Sequence, residues 1–125
     1  AGVAKPEVRA ILREATRAYL FKQMRSCVTL CRALVEAALK SRVTREEVDV
    51  ENRRTGDYMG VLERSIEIAV ARRILSPAMG DQANVIRRFG NKVLHDAREP
   101  EPEHVWAALL DTRAIVEAVY IGREP

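Results

Sequence analysis

Along nearly the whole chain, apolar residues return every three or four positions. A period of about 3.6 marks amphipathic helices and is incompatible with the two-residue alternation of strands. Gly and Pro fall mostly between the periodic segments, and Ala, Leu, Arg and Glu dominate within them.

The spacing predicts five helices. The first runs from Pro6, a favourable first-turn residue, to Leu20, with Val8, Ile11, Leu12, Ala15, Ala18 and Tyr19 as its stripe. After a bend near Phe21, the second runs from Lys22 to Ser41, carrying Cys27, Leu30, Cys31, Leu34, Val35 and Ala38. Residues 43–57 are the most polar stretch, where Thr44-Arg-Glu-Glu47 fits a capping box and predicts a short helical turn. The third helix runs from Tyr58 to Leu75, with Leu62, Ile66, Ala69 and Ile74 inward. Ser76-Pro77 caps and opens the fourth, which reaches Asp96. Arg98-Glu-Pro-Glu-Pro102 is a stop and a restart. The fifth runs from Glu103 to Tyr120, with Val105, Trp106, Leu109, Leu110, Ile115 and Val119 inward and Gly122 as terminator. The expected fold is an all-α antiparallel bundle of about five helices, one domain over residues 1–125.

Composition narrows the class. Hydrophobic residues are 47% of the 125, which disfavours disorder, and no run is long and apolar enough to span a membrane. Ala1-Gly2-Val3-Ala4-Lys5 has no hydrophobic core of a signal peptide, and the missing initiator Met predicts a fragment of a larger protein. Cys27 and Cys31, four apart on a helix, are poorly placed for a mutual disulfide, so a reducing cytoplasm is the expected location. The net charge is +3, unevenly spread: residues 1–43 hold nine basic and three acidic side chains, and residues 99–125 hold two and six. Such a basic half attracts phosphate, or is simply the solvated side of helices.

The fourth helix is the most informative. With about 100° per residue, Ile86, Phe89, Gly90 and Val93 form its buried face, with Leu94 at the margin. Gly90 costs about 1 kcal/mol relative to alanine in a helix interior, which predicts a close approach by another helix there. On the opposite face Asn84, Arg88, Asn91 and His95 form one ridge. Arg88 offers a planar fork of donors suited to phosphate, and an imidazole titrates near neutrality. Asn91 is placed to orient His95 or to bond a phosphate oxygen. Together these are the minimal kit for metal-independent RNA cleavage, and a two-fold dimer would bring two copies into one groove. The alternative is a polar face that only meets water.

Arg88-Phe-Gly-Asn91-Lys-Val-Leu-His95, after Leu75-Ser-Pro77, resembles the I-R-x-x-G-N-x-x-x-H signature of a bacterial domain-of-unknown-function family. That family is often joined to restriction-type nuclease or helicase modules. It looks like a branch of the HEPN superfamily (higher eukaryotes and prokaryotes nucleotide-binding). Cys31-Arg32-Ala-Leu-Val-Glu36 is similar to its second helix, and the similarity runs over about residues 8–120. The resemblance implies a HEPN-like bundle, usually a homodimer, in a defence or restriction setting. Catalytic members carry an R-x(4–6)-H motif at the dimer interface and cut RNA without metal. Carried over, Arg88 would stabilise the phosphate, His95 would act as base, and Asn91 would be the polar residue between them. Non-cleaving members act as assembly or nucleotide-sensing modules.

Other candidates have plainer readings. Arg32 is a second phosphate contact or the partner of Glu36 in an intrahelical ion pair. Arg72-Arg73 and Arg87-Arg88 form an anion patch or are solvated arginines with packed stems. Asn84, Arg87 and Arg32 are therefore the candidate binding residues beside Arg88, Asn91 and His95. Cys27, Cys31, His95 and His104 match no common zinc motif, so no metal and no cofactor is expected. Trp106 and Tyr120 read most simply as core, with an interface anchor as the alternative. No P-loop, HExxH or GxSxG occurs. Two functions remain: a dimeric module associated with RNA or other nucleic acid, or a metal-independent ribonuclease. A purely structural bundle is the third reading.

Overall fold

The computed structural model describes residues 5–121. The expectations about residues 1–4 and the Gly122 terminator lie outside them. Six helices follow in order: α1 Pro6–Leu20, α2 Met24–Lys40, α3 Arg45–Thr55, α4 Val61–Ala71, α5 Pro77–His95 and α6 Pro102–Ile121. No strand occurs among the described residues. The all-α bundle is as expected; the count of five is corrected to six.

The added helix is α3, in the stretch read as a single turn. Its capping box is complete: the Thr44 hydroxyl accepts from the Glu47 N–H at 3.1 Å, and the Glu47 carboxylate accepts from the Thr44 N–H at 3.1 Å. Gly56, at φ 71°, takes the left-handed position that ends it. Only Val48 and Asn52 of α3 are buried, so it shows almost no apolar stripe. It is held instead by Arg64 of α4, 2% exposed. The Arg64 Nε donates to Asn52 Oδ1 at 2.8 Å, and its terminal nitrogens donate to Asp57 O at 2.5 Å, Thr55 Oγ1 at 3.2 Å and the Glu67 carboxylate. Asn52 also binds both backbone groups of Met59. One guanidinium thus ties the α3–α4 connection to the bundle.

Two other boundaries move for backbone reasons. Lys22, at φ 62°, turns the chain between α1 and α2, with Gln23 N–H donating to Ala18 O at 2.8 Å. Arg73, at φ 60°, does the same after α4, with Ile74 N–H donating to Ala69 O at 2.9 Å. Each is a left-handed C-terminal cap formed by a residue with a Cβ, at a cost of about 1 kcal/mol. The third predicted helix therefore stops at Ala71 rather than Leu75.

The central helix is α2, packed on α1, α4, α5 and α6. Eight of its side chains are buried, Cys27 and Cys31 among them as free thiols in the core. Hydrogen bonding to Cys31 and burial push the Cys27 thiol up. Val8, Ala15, Ala18, Leu62, Ile66, Ile86, Val93, Val105, Leu109, Ile115 and Val119 complete the core as predicted. Trp106 and Leu110 do not: they are 43% and 47% exposed, whereas Tyr120 is buried. Trp106 instead lies against Tyr19 of α1, ring centroids 5.0 Å apart. No described helix is long and apolar enough to cross a membrane.

At the start of α5, Ser76 Oγ accepts from the Met79 N–H at 3.1 Å and Pro77 fills the first turn. Ser76→Ala is expected to lower stability by about 1 kcal/mol, read as a shift in the urea midpoint at unchanged slope.

Candidate functional site

Helix α5 is pressed against its neighbours at two glycines. A Cβ at Gly80 would lie 2.5 Å from Val70 Cγ2 of α4. A Cβ at Gly90 would lie 2.4 Å from Arg32 Cδ and 3.0 Å from Arg32 Cβ of α2. The close approach expected at Gly90 is thus made by the Arg32 stem. At the other end, Arg25 of α2 donates to the carbonyls of Val93 and Asp96, satisfying the open end of the last turn. A bond from the Arg98 backbone N–H holds the Asp96 carboxyl below its usual range. These contacts fix which face of α5 points out.

That face carries the ridge. Arg88, Asn91 and His95 are all exposed, and none bonds to another described side chain. Asn84 and Arg87, half-buried, are engaged elsewhere. The Arg87 Nε donates to Asn84 Oδ1 at 3.1 Å, and its terminal nitrogen meets Glu63 of α4 at 3.3 Å. They brace α4 against α5. Arg72 of the Arg72-Arg73 pair is likewise taken up by Glu47.

Arg32 corrects one reading. It forms no ion pair with Glu36 or any other described residue, because its stem crosses Gly90 instead of running along α2. Its Nε is buried with no hydrogen-bond partner among the described residues, while the side chain as a whole keeps partial access to water. A buried donor left unmade costs about 1–3 kcal/mol. The terminal nitrogens of Arg32 likewise make no hydrogen bond to a described residue, so the guanidinium at the α2–α5 seam is unspent among the described residues.

The ridge also has two sides. Arg88 lines a groove of about 690 Å³ between α5 and α6, together with Phe89, Lys92, His104 and Asp111; Asn91 and His95 do not line it. The imidazole that shares a cavity with Arg88 is thus His104, which sequence reasoning weighed only as a zinc ligand. The signal for it was present: His104, Ala107, Ala108 and Asp111 recur at 0, 3, 4 and 7 on α6. Burial pushes the Asp111 carboxyl upward. Among the described residues no group of three His, Cys, Asp or Glu side chains is placed to hold a metal ion.

Chemically, α5 offers a guanidinium, an ammonium, a carboxamide and an imidazole to whatever approaches from outside, none of them bonded to another described side chain. Comparison with proteins of curated function finds no match, nor does comparison with solved structures. The profile of the family described as a domain of unknown function, DUF4145, matches residues 13–124. As that span takes in most of α1 and reaches past α5 into α6, the chain belongs to the DUF4145 family.

Proposed function

We propose that the chain is a HEPN-like dimerisation module that associates with nucleic acid in a bacterial defence or restriction system, beside a fused nuclease or helicase module. The outward ridge of α5 is its phosphate-facing surface. The observation that carries this reading is the contrast along α5. Asn84 and Arg87 are consumed by internal bonds, whereas Arg88, Asn91, Lys92 and His95 stand exposed with none to described side chains. Unneutralised cations on a rigid helix displace counterions from a phosphate backbone without needing base contacts.

The test is binding of a labelled RNA oligonucleotide across a salt series. Arg88→Ala and Lys92→Ala should each weaken binding about tenfold and reduce the salt slope by about one. Unchanged affinity and slope in the double variant would overturn the reading.

The alternative, cleavage by Arg88 and His95, is favoured by their seven-residue spacing along α5, which brings both exposed side chains to neighbouring azimuths although Arg88 also borders the groove. His95 would take the 2′-hydroxyl proton as that oxygen bonds to phosphorus, Arg88 would hold the phosphate oxygens, and the bond from phosphorus to the 5′-oxygen would break as that oxygen takes a proton from water, the imidazolium then returning its own to solvent. Products would be a 2′,3′-cyclic phosphate and a 5′-hydroxyl. Cleavage in EDTA that disappears in both His95→Ala and Arg88→Ala selects this alternative; cleavage persisting in both is contamination.

A further inference from the structure

We infer that the groove between α5 and α6 takes an unpaired guanine, so that the strand meeting the α5 ridge is single-stranded RNA read at one base. The inference rests on the phosphate-facing reading of α5 and names the substrate class of that site.

The groove, about 690 Å³, falls in the size range of sites that hold small organic molecules. Its floor is apolar: Ile86 and Val93 are buried, and Phe89 is half-buried beside them. From α6 come Ala107 and Ala108, side chains too small to fill it. Polar groups of opposite kind stand on the two walls. Arg88 and Lys92, one turn apart on α5, are exposed and form no ion pair with a described residue. On α6 the Asp111 carboxyl is half-buried, with neither a hydrogen bond nor an ion pair to a described residue, and burial pushes it upward.

A ligand that suits both walls carries an anion for α5, a flat apolar body for the floor, and N–H donors for Asp111. An apolar helix of a partner protein would bury three charges unpaired, which is strongly unfavourable. A duplex keeps its base edges paired and offers no body to the groove. An unpaired nucleotide meets all three conditions, its base against Phe89 and its phosphate on Arg88 and Lys92. Guanine is the base that suits Asp111. Its N1–H and N2 amino group are adjacent donors that match the two oxygens of a carboxylate. Adenine and cytosine set a ring-nitrogen acceptor beside their amino group, and uracil sets its one N–H between two carbonyls. Each would turn a lone pair toward the carboxylate. Asp96, Glu99 and Glu101 border the groove at the α5–α6 connection, so the strand crosses it over Arg88 and Lys92 and does not run along it.

The test is fluorescence anisotropy of a labelled oligouridine against the same strand carrying one central guanosine. The guanosine should tighten binding about tenfold. Inosine in its place, which lacks the N2 amino group, should lose most of that gain, and adenosine or cytidine should give clearly less. Pairing the guanosine in a duplex should abolish it. Asp111→Asn keeps one acceptor and loses the other, so it should remove most of the gain. Ala107→Trp, which fills the groove from an exposed position, should do the same. Unchanged helical circular dichroism checks the fold of both variants. Binding that ignores the base, or a guanosine gain that survives both variants, overturns the inference. Base-blind binding that still weakens in Arg88→Ala overturns only the inference. Affinity untouched by Arg88→Ala with Lys92→Ala overturns the functional reading and this one with it.

Discussion

Arg64→Ala is expected to lower the stability of the fold by about 3 kcal/mol, a large part of the 5–15 kcal/mol typical of a domain. The side chain is 2% exposed and fully enclosed between α3 and α4. Its removal strips Asn52 Oδ1, on a buried residue, of the shorter of its two hydrogen bonds, leaving only the Met59 N–H at 3.3 Å, and releases Asp57 O and Thr55 Oγ1. It also leaves a cavity the length of an arginine stem. Arg64→Met keeps most of the volume without the donors and should cost about half as much, which separates packing from hydrogen bonding. Arg64→Lys places a point charge where a fork is needed and should fall near Met. The readout is the urea midpoint, which should drop by roughly 2 M for the alanine variant. Hydrogen exchange adds a local signature: amides of residues 45–60 should lose protection first, since beside Arg64 α3 is held by the small Val43–Val48–Ile68 cluster and the exposed Glu47–Arg72 pair. A loss under about 1 kcal/mol, or uniform loss of protection, would contradict this account.

The same residue shows why α3 was illegible. Helices α1, α2, α4 and α5 announce themselves because burial in a bundle leaves a 3.6-residue apolar trace, and Ser76-Pro77 marks a start with its own chemistry. Within Arg45–Thr55 the apolar residues are Val48 and Val50, and Val50 is exposed. What secures α3 is a cation from the next helix, twelve positions beyond Asn52, and no periodicity encodes that. On α6 the difficulty is reversed. Apolar residues cover most of its circumference, so a wheel offers no single inner face; Trp106 and Leu110 counted as core until α1 was in place. The ridge of α5 was legible because it is the polar half of a cleanly amphipathic helix. Its division into a groove side with Arg88 and an open side with His95 was not, because the groove exists only once α6 lies alongside.

Gly90 was legible as an anomaly, and its cause supplies the second large effect. Gly90→Val should destabilise the fold by about 2 kcal/mol, although valine is the better helix former by a few tenths of a kcal/mol. The new Cβ would stand 2.4 Å from Arg32 Cδ, which can swing aside, and 3.0 Å from Arg32 Cβ, which moves only with α2. The helices must separate or the guanidinium must leave the seam. Gly90→Ala, with no methyls beyond Cβ and about 1 kcal/mol of helix propensity in its favour, should come close to neutral. Arg32→Ala removes the obstructing stem together with the buried unpartnered Nε. It should therefore cost less than its lost packing suggests, and combined with Gly90→Val it should recover about 1 kcal/mol of the valine penalty. The double-mutant cycle measures that coupling by chemical denaturation. Additive effects would place Gly90 and Arg32 apart energetically, and the glycine would need another explanation. If the coupling is found, RNA affinity in Gly90→Ala becomes informative: a variant near parental stability with weakened, less salt-dependent binding identifies Arg32 as a phosphate contact held in place by the absence of a side chain at 90.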